Sequence, residues 1–375
     1  MQGNTITSSA SFADSKPHYV ILDALRGVAA FMVLFFHIFE SFATSPLDQV
    51  INHGYLAVDF FFMLSGFVIA YAYDDRWDIL SVKNFCKRRL IRLQPMVVIG
   101  ALIGALLFYT QGCQVWDVSQ VSIGALLVAM LLNMLMIPVT PSVEIRGIGE
   151  MYPLNGPTWS LFFEYIGNIL YALVLRRMGT RVLAIWTVLM AVGLCCFAVG
   201  SPWGYLSVGW AMDSTNMLGG SLRLLFTFSC GLLLSRLYRY RGVKYGFLWT
   251  ALLIVLVTAA PRIGDKDTLW MNGLYDALVI ILVFPCVVFL GASASVKGKA
   301  MARVAKFLGD ISYPLYMVHY PFIYLYYAWV KNNELTFWMS IHGAIGVVVG
   351  SVLLAYLCLK WYDIPVRRWL AGRLK

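Results

Sequence analysis

Apolar residues dominate the chain in long runs separated by short polar breaks. The candidates fall at about 20–42, 54–73, 95–111, 120–138, 157–175, 182–199, 219–235, 246–260, 274–293, 308–330 and 336–359. A helix that crosses a bilayer needs roughly 20 mostly apolar residues, so the pattern predicts a polytopic helix bundle. Eleven crossings would put the two chain ends on opposite sides, and the basic residues oppose that. The tail after Leu359 carries Lys360, Arg367, Arg368, Arg373 and Lys375, whereas the 46–53 loop has no Lys or Arg. Basic loops stay on the cytoplasmic side. The conflict disappears if 120–138 only dips into the membrane or lies on its surface. Arg176, Arg177 and Arg181 then fall inside, as do the 236–244 and 297–306 clusters. The expectation is an all-α bundle of about ten transmembrane helices, one dipping or interfacial helix near 120–138, and both termini cytoplasmic. On this count 23 of the 29 basic residues lie inside and four outside, with Arg26 and Arg223 within spans.

Composition narrows the class further. The 375 residues are 60% hydrophobic and 13% charged, about half the charge of a soluble domain. No polar stretch is long enough to fold alone, so residues 19–375 read as one transmembrane domain behind a short polar cytoplasmic tail, 1–18. The net charge of +10 is explained by the inside loops and does not require nucleic acid. The seven cysteines show no CxxC or Cys/His spacing, so a metal site is not expected. The first apolar run is too long for a signal peptide, and it contains Asp23 and Arg26.

The chemistry is expected where charge meets lipid. A charged side chain at a span centre costs roughly 2.5–3.5 kcal/mol, and such residues usually face the bundle interior. Asp23, Arg26, His37, Asp59, Glu164, Arg223, Asp276 and His319 are of this kind. Arg26 and His37 are eleven residues apart, close to three helical turns and roughly 16 Å of rise, so they share one stripe of the first span. Arg26 would lie towards the inner side and His37 towards the outer side, with Asp59 and Glu164 also in the outer half. Asp23 would pair with or orient Arg26. Asp276, near an outer helix end, is expected to be solvated. Arg89 and Arg92 are three apart on one helical face just before Pro95, where two guanidiniums would grip phosphates. Trp159 would suit the interfacial belt. Pro314 and Pro321 flank His319 and would kink their helix, and Tyr313 and Tyr316 would line a sugar-accepting cavity or the interface.

These residues resemble the acyltransferase-3 membrane proteins, which O-acylate carbohydrates, peptidoglycan and some antibiotics. The likeness rests on Arg26 to His37 in LDALRGVAAFMVLFFH, GYLAVDFFFMLSGF in the second span, Arg89-x-x-Arg92 before Pro95, Trp159 to Glu164, and Ser312 to His319. Ala57 stands where the family usually has Gly. The resemblance implies an acyl-CoA donor, above all acetyl-CoA, contacted by Arg26, Arg89 and Arg92, with His37 acting in catalysis. It implies a carbohydrate acceptor, a lipid bilayer environment and an inner-membrane location. His37 would be the general base, oriented by Glu164 or Asp59, with Arg26 or Arg223 offsetting oxyanion charge. The other reading is a transporter or flippase of a lipid-linked sugar, since intramembrane charges and broken helices suit transporters as well.

Overall fold

The computed structural model of the protein describes residue 16, residues 19–296 and residues 298–373. The remainder of the expected 1–18 tail, together with Lys297 and Lys375, lies outside the described residues. Among the described residues fourteen α-helices follow in order: α1 Val20–Glu40, α2 Ala57–Tyr73, α3 Val82–Leu107, α4 Ile123–Met134 and α5 Thr158–Leu173. Then come α6 Thr180–Gly200, α7 Ser214–Leu237, α8 Gly246–Ala259, α9 Leu269–Leu278 and α10 Phe284–Ala292. The last four are α11 Lys299–Val318, α12 Tyr320–Asn332, α13 Phe337–Cys358 and α14 Ile364–Gly372. No β-strand occurs among the described residues.

Local chemistry explains the boundaries. Ser81, Ser122, Asp213 and Thr336 sit at helix starts, and each side chain accepts from the backbone N–H three residues on. The third span starts thirteen residues before the expected position. The basic stretch 82–94 is itself helical, and α3 carries Pro95 inside it. Pro321 occupies the first turn of α12, where its missing N–H costs nothing, and the chain breaks at His319 between α11 and α12. Two π-helical turns, Val279–Val283 and Leu359–Asp363, stand just before Pro285 and Pro365 and absorb the carbonyls those rings leave unpaired.

Among the described residues, eight helical stretches are long and apolar enough to cross a membrane. The expected ten would also need α8, which has only 14 residues, and the broken pair α11–α12. The segment expected to dip is α4, 12 residues long and too short to span.

The loops gather at two ends. At one, His53 bonds to the Ala260 carbonyl and Asn272, Met151 N–H donates to the Trp210 carbonyl, and Asn332 donates to the Gly112 carbonyl. At the other, Lys16 pairs with Asp75, Arg236 bridges Asp74 and the Met178 carbonyl, and Tyr238 donates to the Ala292 carbonyl. We call these the loop end and the basic end. In between, α2 and α7 touch backbone to backbone. A Cβ on Gly66 would stand 2.1 Å from the Phe228 carbonyl oxygen, and one on Gly231 2.0 Å from that of Met63. Small residues permit this approach in membrane bundles.

Candidate active site

The interior charges sort into three groups. The first is sealed by the α2–α7 contact. Asp59 and Arg223 are both fully buried and form an ion pair at 2.7 Å. Arg223 also donates to the carbonyls of Val208 and Tyr55, so each of its nitrogens is engaged. Beside it Tyr55 donates to Asp276 at 2.7 Å, and Leu206 N–H donates to the same carboxylate. Asp276 is therefore not solvated as expected: the 201–206 loop folds over it and it is fully buried.

The second group surrounds Arg26 near the basic end. Arg26 is paired with Asp23 at 3.1 Å and lies within electrostatic range of Arg89, Arg92 and Glu164. Glu164 accepts from Arg89 at 2.9 Å and from the Ser65 hydroxyl at 2.8 Å. Tyr313 donates to the Leu93 carbonyl and neighbours Arg92. Arg92 is exposed and, among the described residues, makes no hydrogen bond or ion pair. The Nε of Arg89 is buried without a partner. Three guanidiniums stand against two carboxylates, Asp23 and Glu164, and the surplus positive charge with its spare donors suits a phosphate-bearing ligand.

The third group opens at the loop end. A cavity of about 350 Å³ is lined by His37, Glu40, Glu150, Trp159, Tyr316 and Tyr320 among others, within the range of ligand pockets. His37 Nδ1 lies 2.8 Å from Glu40 Oε2, one helical turn further along α1. Its ring stacks on His319 at 5.7 Å and meets the edge of Tyr320 at 4.7 Å. His319 is fully buried, with Nδ1 on the Leu315 carbonyl. Tyr316 shares a hydrogen bond with Ser160 Oγ at 2.8 Å. Trp159 is a cavity wall, 5.2 Å from the Arg223 guanidinium, and not a belt residue.

The structure thus separates residues that the sequence reading joined. Neither Asp59 nor Glu164 hydrogen-bonds to His37. Asp59 is committed to Arg223, and Glu164 to Arg89 and Ser65. The carboxylate on His37 is Glu40, which sequence reasoning missed, although a His-x-x-Glu spacing on one helical face could have found it. Glu150 was also missed, because a loop position carries no periodic signal of burial.

A protein-family model described as an acyltransferase domain matches residues 19–360. The Rhizobium radiobacter protein called Protein 2 in picA locus is 33% identical over 180 residues, 46% of this chain and 88% of that protein. Acyltransferase MdmB of Streptomyces mycarofaciens is 24% identical over 328 residues, 80% of this chain and 77% of that one. O-acetyltransferase OatA of Staphylococcus aureus is 23% identical over 374 residues, 94% of this chain but only 58% of that protein. No solved structure matches the chain.

Proposed function

The chain belongs to the acyltransferase-3 family, and from that premise we propose that it moves an acyl group, acetyl foremost, from cytosolic acyl-CoA to a carbohydrate hydroxyl met at the opposite membrane face. The observation that carries this reading is the His37–Glu40 pair opening into a cavity at one end of α1, with the arginine cluster around Arg26 three turns away.

In this reading the basic end is cytoplasmic, because it gathers Arg76, Arg176, Arg177, Arg236 and Arg239, while the loop end holds little beyond Arg146, Arg262, Lys266 and Lys331. With α8 and the α11–α12 pair counted as crossings, the total is ten and both ends lie on the cytoplasmic side of a bacterial inner membrane. Arg26, Arg89 and Arg92 hold the donor's phosphates, supported by Asp23, Glu164 and Tyr313.

An ionised Glu40 takes a hydrogen bond from Nδ1–H of His37, which fixes the tautomer and leaves Nε2 as a proton acceptor. Nε2 removes the proton of the acceptor hydroxyl as its oxygen attacks the thioester carbonyl carbon. The carbon–sulfur bond then breaks, and the imidazolium returns the proton to the departing thiolate. Glu40 stabilises the imidazolium between these two steps. Arg223 is not free to offset oxyanion charge, since it is fully buried and each of its nitrogens is already bonded to Asp59, Val208 or Tyr55. His319 holds the His37 ring in place through their stacked faces.

The test is transfer of label from radiolabelled acetyl-CoA to envelope glycans by purified protein in detergent. The expected outcome is label in carbohydrate with wild-type protein and none with His37→Ala. Normal transfer by His37→Ala would remove the proposed base. Activity that needed a sealed vesicle would point to transport.

A further inference from the structure

Glu150 lies in the loop between α4 and α5, yet it is 7% exposed. The loop is turned inward by its neighbours: Val139 N–H donates to the Met151 carbonyl, Met151 N–H to that of Trp210, and Glu150 bridges to Ala211. Two hydroxyls hold the carboxylate. Tyr320 donates to Oε1 at 3.2 Å, and Tyr324 donates to Oε2. Tyr324 is itself clamped, with the Arg146 guanidinium 3.6 Å from its ring centroid. Arg146 is buried and tied to Gln111 Oε1 and the Pro153 carbonyl.

A carboxylate offers about four lone-pair sites. The tyrosines take one on each oxygen, which leaves one on each of the two oxygens of the same carboxylate. Leaving them unfilled in a buried place is costly, and burial pushes the Glu150 carboxyl up to about 7. Glu150 lines the same cavity as His37. One tyrosine spans the gap between them: the Tyr320 ring meets His37 at 4.7 Å while its hydroxyl rests on Glu150. Around this gap Trp116, Trp159, Trp210 and Tyr327 offer flat apolar surfaces. Two adjacent acceptor sites, an aromatic wall and a nearby base match a sugar ring, which has neighbouring hydroxyls at its rim and C–H bonds on its faces.

We propose that Glu150 is the carboxylate that recognises the acceptor: it receives two neighbouring hydroxyls of a pyranose and so presents another hydroxyl of that unit to His37. The inference rests on the carbohydrate-acceptor reading above. It is tested by saturation-transfer NMR on the full chain in detergent, with methyl glucopyranoside, galactopyranoside and mannopyranoside as probes and no donor present. At least one probe binds the wild type, and Glu150→Gln, checked for wild-type elution and helical content, weakens it by about tenfold or more. On the wild type alone, a monodeoxy series of that probe shows two adjacent positions whose loss weakens binding about tenfold, because each leaves a carboxylate lone pair unfilled. Glu150→Gln binding as well as wild type, a flat deoxy series, or a wild type that binds none of the three probes overturns the proposal. Pyranoside binding without acetyl-CoA turnover would count against the acyl-CoA donor and leave this inference standing.

Discussion

The Asp59–Arg223 pair and the His37–Glu40 pair are built from like parts, a cation or potential cation beside a carboxylate inside an apolar bundle. They differ in saturation. Asp59 and Arg223 are both fully buried, and every Arg223 nitrogen is bonded. His37 and Glu40 share one bond, line a cavity, and keep their remaining atoms available. A completed network resists change and holds helices in register, whereas an incomplete one facing a cavity can take up a substrate. Intramembrane charge alone does not separate the two cases.

The contrast breaks most sharply at His37. His37→Ala should lower kcat by roughly 10²–10⁴-fold, the usual contribution of a general base, with the melting temperature unchanged. The opposite profile is expected of Asp59→Ala. Stranding a buried Arg223 should cost about 3–5 kcal/mol, read as a large drop in thermal stability in detergent. An Asp59→Ala protein that melts normally but is inactive would erase the distinction. Glu40→Gln should fall between them, slowing kcat by roughly 10–100-fold with intact folding, because a charge-assisted bond to the imidazole is lost. At the basic end, Arg92→Ala should raise KM for acetyl-CoA about tenfold while kcat stays near wild type, since a phosphate contact acts in binding. A drop in kcat with KM unchanged would move Arg92 out of the donor site.

The smallest effect concerns pH. Burial raises the Glu150 carboxyl from about 4.5 to about 7, against the lowering pull of Tyr324, Arg146 and Tyr320 and with the help of nearby Glu144. Between those values the folded protein holds a proton that the unfolded chain has released. Wild-type stability relative to Glu150→Gln should therefore decline as pH rises from about 4.5 to about 7 and level off above it. Paired melting curves across this range check the sign, and a rising difference would contradict the burial seen here.

Much of this was readable beforehand, because hydrophobic runs and helical spacing are local properties. The stripe from Arg26 to His37 and the Arg89–Arg92 face needed nothing but periodicity, and the non-spanning α4 needed the placement of basic loops as well. What failed was partner assignment. Depth placed Asp59 and Glu164 near His37, but side-chain direction sends one to α7 and the other to α3. Glu40 was passed over at the end of its own helix. Glu150 and Asp276 became buried only because loops at 139–157 and 201–213 fold over the bundle, an event with no periodic trace.

The π turn at Leu359–Asp363 has its own consequence for phase. The buried stripe of α13 runs through Ser340, Ala344, Ser351, Ala355 and Cys358, and an uninterrupted helix would bring Tyr362 next into line. The wider turn holds one extra residue, a rotation of about 100° for all that follows. Asp363 takes the inward place instead, at 1% exposure, and pairs with Arg367 at 2.7 Å, both within electrostatic range of Arg92. The length of one turn, counted in single residues, thus decides which side chains of the last helix meet the arginine cluster and which meet lipid.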